Sequence, residues 1–191
     1  MTLRIAQDEA ADEVLSTNAF ALLSGMLLDQ QFPMERAFAG PAKILDRFGT
    51  LDPAAIAAAP PQEFAEVCAT APAVHRFPGA MAARVQELAR HIVEVYSGNT
   101  AALWQTAESG PELLGRLVAL PGFGKQKAQI FVALLGKQVD VRPHGWREVA
   151  GHYGDDGSFR SVADVRDADS LSKVRAFKKE QKAVKAAQRA T

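Results

Sequence analysis

Two glycines and a carboxylate in this chain have a spacing that suits a binding or catalytic site. Residues 120–131 read Leu-Pro-Gly-Phe-Gly-Lys-Gln-Lys-Ala-Gln-Ile-Phe, and Asp140 follows sixteen positions after the second glycine, Gly124. Glycine adopts backbone angles that side chains forbid, and the first amides of a helix lack partners within it, so an anion can bind there. The pattern indicates either a turn that grips a phosphate and directs a carboxylate at a sugar, or an ordinary turn between two helices.

The residues around the glycines favour a helix that begins at Gly124. Pro121 stops the preceding helix, and Lys125 and Lys127 fall in the first turn of the next one. Positive side chains are unfavourable at this end of a helix dipole. A bound phosphate would relieve the repulsion, so the two lysines predict contact with an external anion.

The elements that must position these residues are helices. Proline, aspartate or asparagine often precedes an apolar stretch of helical spacing, and no segment of useful length alternates with period two. We therefore predict an all-α fold. The expected helices cover residues 8–15, 18–28, 33–38, 41–48, a short stretch from 53, 61–67, 78–96, 112–118, 124–135, 143–153 and 171–189.

The composition predicts a soluble globular protein with its own core. Hydrophobic residues make up 48% of the 191 residues. The single cysteine, Cys68, excludes disulfides and a four-thiolate iron–sulfur cluster within the chain, and the four histidines lack metal-ligand spacing. Because no targeting leader or membrane-length apolar stretch is evident, we expect a cytoplasmic protein.

The net charge of zero conceals a basic C-terminal segment. Residues 171–191 contain seven lysines and arginines and one glutamate, a net charge of +6, so the rest of the chain carries −6. Such a segment could bind phosphates with strong salt dependence. The alternative is a solvated helix end.

Several motifs together resemble those of the helix–hairpin–helix (HhH-GPD) DNA glycosylase superfamily of base-excision repair. Residues 120–124, Ala128 and the pair at 139–140 are similar to its hairpin, Leu-Pro-Gly-Val-Gly, and to the aspartate that follows a Gly/Pro-rich loop. Residues 27–31, Leu-Leu-Asp-Gln-Gln, and 76–80, Arg-Phe-Pro-Gly-Ala, resemble two further segments of the family. Only members without an iron–sulfur cluster fit the cysteine count.

The resemblance implies a helical fold of two lobes with a cleft between them. Residues 25–135 would form the central lobe, and 1–24 with 136–170 the second, so that 1–170 make one domain and 171–191 a basic helix or tail. Double-stranded DNA with a damaged or mismatched base would lie across the cleft, with the target nucleotide flipped into it. The protein is expected to act as a monomer, associated with the nucleoid when bound to DNA.

The resemblance also assigns the hairpin to DNA binding. Main-chain amides at Gly122, Phe123 and Gly124, with Lys125 and Lys127, would hold a backbone phosphate, which positions a protein without reading sequence. Hairpin carbonyls hold a cation in relatives, so a sodium or potassium ion is expected there, and no other cofactor.

Asp140 is the expected catalytic residue. Cleavage of an N-glycosidic bond creates positive charge on the sugar, as in glycoside hydrolysis. A carboxylate beside that carbon stabilises the charge and orients or deprotonates an attacking water. The alternative is that Asp140 caps the following helix.

The absence of the family's lysine nucleophile predicts a monofunctional glycosylase. Members that also cut the strand have a lysine two positions after the second hairpin glycine, where this chain has Gln126. Lys125 and Lys127 flank that position but point about 100° away on a helix. An amine nucleophile also needs a pKa lowered by desolvation, which exposed lysines of a first turn seldom have.

The chain departs from the family pattern around Asp140. The stretch from hairpin to aspartate is a few residues shorter, and the usual Asp-Thr-His-Val is replaced by Asp-Val-Arg-Pro. Arg142 and Arg147 are expected to bind phosphate or to pair with Asp140. Trp146 either stacks on a base or packs in the core.

Gln30 and Gln31 follow the second expected helix. By resemblance they would fill the gap left by the flipped nucleotide and bind its orphaned partner base; otherwise they are exposed in a turn. The predicted function is a DNA glycosylase. The alternatives are a non-catalytic helix–hairpin–helix module that binds DNA and a hydrolase of free modified nucleosides.

Overall fold

A computed structural model of the chain describes residues 2–189, and for Lys185 and Arg189 it describes the backbone alone. The regular elements in this part of the chain are helices, which confirms the all-α fold class. The α-helices are α1 (Glu9–Thr17), α2 (Ala19–Leu28), α3 (Met34–Phe38), α4 (Gly40–Phe48), α5 (Pro53–Ala58), α6 (Pro61–Ala69), α7 (Pro78–Tyr96), α8 (Ala102–Gln105), α9 (Gly110–Val118), α10 (Lys125–Leu134), α11 (Trp146–Ala150) and α12 (Ala168–Arg189).

Short helices of other types complete the fold. A π-helix over Leu135–Val139 continues α10, and 3₁₀ turns lie at Gly151–Gly154 and Val162–Asp164. The helix expected over 143–153 is thus α11 followed by a 3₁₀ turn. The four-residue α8 is an addition to the helices that the sequence pattern predicts.

Helix ends follow the local signals of the sequence. The Asn18 side chain accepts a 2.9 Å hydrogen bond from the Ala21 amide and begins α2. Gly49 ends α4 with a φ of 85°. At the other end of the chain, the Asp167 carboxylate accepts from the Ser170 amide at 2.7 Å, which explains why α12 begins before residue 171.

The centre of the core is α2. Nine of its ten residues, from Phe20 to Leu28, are buried, so every face of this helix contacts protein. It packs against α1, α3, α4 and α7. Full burial of one large apolar side chain contributes about 1.5–3 kcal/mol, so the buried leucines, Phe20 and Met26 of α2 stabilise the packing of the elements around it.

The remaining helices form two groups around α2. In the first, α5 and α6 pack on α7; in the second, α9, α10 and α11 pack together with the π-helix and the 3₁₀ turns. Helix α12 joins the second group through buried Leu171 and Val174. The division into lobes 25–135 and 1–24 plus 136–170 stays a prediction.

Within the described residues, no helix combines the length and the apolar character needed to span a membrane.

Candidate functional site

The hairpin joins α9 to α10 and packs on the end of α2. Gly122 has a φ of 78°, and a Cβ atom at this position would lie 2.6 Å from Cδ1 of Leu27. Glycine is therefore required both for the backbone angle and for the close approach. Gly124 is extended and begins α10, and no side chain caps this helix. The first amides of α10 are left without a side-chain acceptor.

The side chain of Phe123 belongs to the core, not to the DNA-binding surface. It is 5% exposed and packs edge-on against Phe131, with ring centroids 6.2 Å apart. Its amide donates to the Leu120 carbonyl within the turn. The expected DNA contact through Phe123 is corrected by these observations, because both its ring and its N–H have partners inside the protein.

Lys127 binds the end of α2 and is not an exposed lysine of a first turn. Its Nζ donates to the carbonyls of Met26 and Leu27, both at 2.9 Å. Burial lowers the pKa of Lys127 to about 8, and the nearby carboxylate of Asp29 opposes this effect. The expectation that Lys127 holds a phosphate is therefore wrong for this arrangement, whereas Lys125 is exposed as expected.

Gln30 and Gln31 lie beside the hairpin, where α2 ends. The Gln30 side chain donates to the Leu27 carbonyl at 2.8 Å and accepts from Arg84 at 2.7 Å. Gln31 is exposed, with a φ of 52°. Gln30 is thus held by the protein, while Gln31 is accessible to a partner.

An exposed aromatic residue stands close to these glutamines. Phe77 is 46% exposed, and the Arg76 guanidinium lies 4.6 Å from its ring centroid. The Phe77 amide donates to Nδ1 of His75, so the proton of this imidazole sits on Nε2 and is donated to the Gln30 carbonyl at 2.9 Å. Burial lowers the pKa of His75, which favours this neutral form. The sequence points to Arg76 and Phe77 only through their resemblance to a family segment.

We call this side of the molecule the hairpin face. It consists of residues 119–125, 29–31 and 75–77, with Arg84 and Lys127. Its members come from distant parts of the chain and meet because α2 packs against the hairpin.

Asp140 does not lie on the hairpin face. Helix α10 runs away from the hairpin for ten residues, about 15 Å, and the π-helix follows before Asp140 is reached. Asp140 lines a hollow with Asn18 and Trp104, at the opposite end of α2. Its side chain is 83% exposed, in a left-handed backbone conformation with φ of 62°. The short connection after α10 leaves no chain to return the carboxylate to the hairpin.

The residues after Asp140 have structural partners. Arg142 pairs with Asp140 at 3.3 Å, one of the two roles expected for it. Arg147 instead binds Asp156 at 2.9 Å. Trp146 is 8% exposed and packs so closely on Gly136 that a Cβ atom at position 136 would lie 2.4 Å from the indole ring. Of the two roles expected for Trp146, packing in the core is therefore the correct one. The N-cap of α11 is Gly145, so Asp140 does not cap that helix.

A cavity of about 660 Å³ adjoins the first turn of α10. It lies between α10, the 3₁₀ turn at Gly151–Gly154 and α12. Its lining includes Gln126, Gln129, Ile130, Tyr153, Arg160 and Phe177. The amide nitrogen of Gln126, at the position of the family's lysine, donates to Oη of Tyr153 at 2.7 Å.

Helix α12 connects the cavity with the hairpin face. Lys178 lines the cavity, and its Nζ lies 3.7 Å from the carboxylate of Asp29, whose side chain is 12% exposed. One turn earlier, Arg175 pairs with Glu35 of α3. The first part of the basic segment, as far as Lys178, therefore packs against α3 and the end of α2. The side chains of Lys185 and Arg189 lie outside the described residues.

The described residues contain no group of three or more histidine, cysteine, aspartate or glutamate side chains suited to a metal ion. Cys68 is buried, and burial raises the pKa of its thiol to about 12. This thiol is therefore a core group and not a nucleophile. The sodium or potassium ion at the hairpin carbonyls stays a prediction.

The fold and the hairpin define a helical protein with a helix–hairpin–helix unit and a positively charged helix that lines a cavity of about 660 Å³. Over residues 24–191 the sequence matches the family model described as HhH-GPD superfamily base excision DNA repair protein. The chain belongs to this family, and a role of the DNA glycosylase type follows from the membership. Comparisons with curated proteins and with solved structures gave no match.

Proposed function

We propose that this protein is a monofunctional DNA N-glycosylase that hydrolyses the bond between a damaged or mismatched base and its sugar. The observation that carries the proposal is the cavity beside Gln126, two residues after the hairpin glycine Gly124. A phosphate held at the start of α10 leaves the neighbouring nucleotide within reach of this cavity. The nucleotide must leave the duplex to enter it.

The hairpin face supplies the DNA contacts. Unpaired amides at the start of α10 and the exposed Lys125 bind phosphate. Gln31 and Phe77 are accessible at the same face and fill the space that the flipped nucleotide leaves, since an apolar ring can replace a base in the stack. Arg76 and Arg84 add positive charge there.

Asp29 is the carboxylate that we assign to the reaction. It lies where α2 meets the hairpin, with Lys127 and Lys178 as neighbours. A negative side chain at this place stabilises the positive charge that develops on the sugar. Asp140, which the sequence pattern favours, is the competing assignment, at the opposite end of α2.

Hydrolysis by water, without strand cleavage, is supported by two side chains. Gln126 has no nucleophilic amine, and its amide is bound to Tyr153. Lys127 has a lowered pKa, but both main-chain carbonyls at the end of α2 bind its Nζ. Borohydride added during turnover should trap no protein–DNA adduct. An adduct that disappears in Lys127→Gln but not in Lys125→Gln would make Lys127 a nucleophile.

The function is tested on duplexes carrying uracil, alkylated purines, oxidised guanine or mismatches. We expect base release from at least one of them, and loss of release by about 100-fold or more in Asp29→Asn. Asp140→Asn should keep nearly full activity, and it serves as the matched control.

Three results would change the assignment. Loss of activity in Asp140→Asn alone would return the catalytic role to that residue. Binding of every duplex without base release would identify a non-catalytic DNA-binding module. Release from free nucleosides but not from duplexes would identify a nucleoside hydrolase.

A further inference from the structure

We infer that His75 is a positioning residue, which sets the exposed side chains of Gln31 and Phe77 for insertion into the gap that a flipped nucleotide leaves in the duplex. This inference rests on the proposed glycosylase function and adds to it the residue that organises the gap-filling pair. His75 is 2% exposed and has no part in the proposed hydrolysis. Its imidazole joins Gln30, 45 positions earlier in the chain, to Phe77.

His75 contacts the residues on both sides of Gln31. Its Nε2 donates at 2.9 Å to the carbonyl of Gln30, which belongs to the peptide bond that leads to Gln31. The ring of Phe32 packs on the imidazole, with centroids 4.7 Å apart. The residues before and after Gln31 are therefore held by the same buried ring.

The backbone of Gln31 needs this support. Its φ of 52° lies in the left-handed region, which is unfavourable for a residue with a Cβ atom. Such a conformation persists where the surrounding structure fixes it from several sides. The Gln30 side chain adds two further bonds, to the Leu27 carbonyl and from Arg84. The exposed side chain of Gln31 thus extends from a fixed backbone.

The same imidazole fixes Phe77. The Phe77 amide donates to Nδ1 of His75 at 3.1 Å, and the two ring centroids lie 6.0 Å apart. The outer side of the Phe77 ring meets the Arg76 guanidinium and remains 46% exposed. One buried ring therefore sets the spacing between the backbones that carry Gln31 and Phe77.

Only the neutral imidazole can make both hydrogen bonds. A main-chain N–H only donates and a carbonyl only accepts, so Nδ1 must lack the proton that Nε2 carries. Burial lowers the pKa of His75, and the positive charges of Arg76, Lys127 and Arg84 act in the same direction. The Gln30 carbonyl opposes them. The net lowering favours the tautomer that holds the two segments.

A pair of side chains held before binding suits a gap in the duplex. Inserted side chains replace the stacking that is lost when a nucleotide leaves the helix. A loop that must first become ordered on the DNA binds more weakly than one already in place. His75 should therefore increase the affinity for a duplex with a gap, and not the affinity for an intact one.

The test compares the binding of two duplexes of otherwise identical sequence. One contains a tetrahydrofuran abasic-site analogue, whose sugar carries no base, and the other is undamaged. Contacts to the phosphates are common to both, so the ratio of the two dissociation constants reports gap filling. We expect the wild-type protein to prefer the duplex with the analogue.

The substitution His75→Phe should reduce this preference by about 10-fold, the usual effect of unmet buried hydrogen bonds. Phenylalanine keeps a ring that can pack on Phe32 but removes both bonds. His144→Phe, at an exposed histidine outside the hairpin face, is the matched control and should leave the preference unchanged. Circular dichroism checks that the variants are folded.

A double-mutant cycle separates positioning from a general loss of structure. In a protein that already carries Gln31→Ala and Phe77→Ala, His75→Phe should not change the preference further. An undiminished loss in that background would overturn the inference, because His75 would then act through other groups. If His75→Phe does not fold, His75→Gln takes its place, since its amide nitrogen can still donate to the Gln30 carbonyl. Its effect should then disappear in the Phe77→Ala background.

The outcomes separate the two proposals. Base release together with an unchanged preference in the His75 variants would sustain the glycosylase and refute the positioning role. A preference that depends on His75, without base release from any cleavable duplex, would refute the glycosylase alone. Equal binding of the two duplexes by the wild-type protein would overturn the positioning role, and no binding of either would overturn both.

Discussion

At the scale of single residues, Lys127 both holds the hairpin against α2 and makes the stability of the protein depend on pH. Its ammonium group binds the last carbonyls of α2, favourable partners for a cation. Removal from water nevertheless lowers its pKa to about 8 from 10.5. Between these two values the unfolded chain binds more protons than the folded one, so the free energy of unfolding rises with pH in that window.

Replacement of Lys127 by methionine tests this effect. From pH 8 to 10, the free energy of unfolding of the wild type should rise relative to that of Lys127→Met by on the order of 2 kcal/mol. Urea unfolding across this pH range measures the difference. Lys125→Met, at an exposed position of the same turn, should show the wild-type pH dependence. If both variants behave alike, the burial of Lys127 does not control the titration.

The two hairpin glycines have different roles. Gly122→Ala places a Cβ 2.6 Å from Leu27 at a φ of 78° and should lower the free energy of unfolding by about 1–3 kcal/mol. Gly124 has an ordinary φ of −82°, and a Cβ atom added there would meet nothing within 4 Å. Gly124→Ala should therefore leave the free energy of unfolding unchanged. If this substitution has an effect, we expect it to be weaker binding of DNA. Equal destabilisation of both variants would contradict this distinction.

At the scale of elements, α12 is anchored at its start and polar along its remaining length. Buried Leu171 and Val174 fix the first turns, while the ion pairs of Arg175 and Lys178 reach α3 and the end of α2. From residue 179 onward the described side chains are exposed. This part of the helix contributes charge to the surface and little to the core.

Deletion of residues 179–191 should therefore leave the fold intact and weaken DNA binding. The logarithm of the binding constant falls linearly with the logarithm of the salt concentration, and each lost phosphate contact makes this slope less steep by about 0.9. Binding of an undamaged duplex, titrated at several salt concentrations, measures the slope. Lys173→Gln, which removes a charge paired with Asp169, is the control and should change the slope little. An unchanged slope after deletion would exclude the C-terminal segment from the DNA interface.

At the scale of the whole molecule, α2 connects both helix groups. Phe20 to Leu28 bury against α1, α3, α4 and α7, and Leu27 also meets the hairpin. We predict that the two groups unfold together. Far-ultraviolet circular dichroism reports all helices, whereas tryptophan fluorescence reports the second group, through Trp146 of α11 and through Trp104, whose ring packs on Phe131 of α10. The two signals should give the same urea midpoint. Two separate midpoints would show that the groups fold independently.

The sequence by itself determined the local features of this protein. Proline and polar caps at helix starts, glycine at turns and the spacing of apolar residues act over a few neighbouring residues. They were sufficient for the helical class, for most helix bounds and for the hairpin at Gly122 and Gly124. The family resemblance was carried by the same local motifs.

Tertiary structure alone decided which side chains meet. Lys127 lies a hundred positions from Leu27 in the chain, and no local pattern could indicate that its amine binds the end of α2. The same holds for Asp29 beside Lys178, and for Asp140 at the far end of α2. Backbone preferences act between near neighbours, whereas the position of a carboxylate relative to a hairpin depends on how whole helices pack.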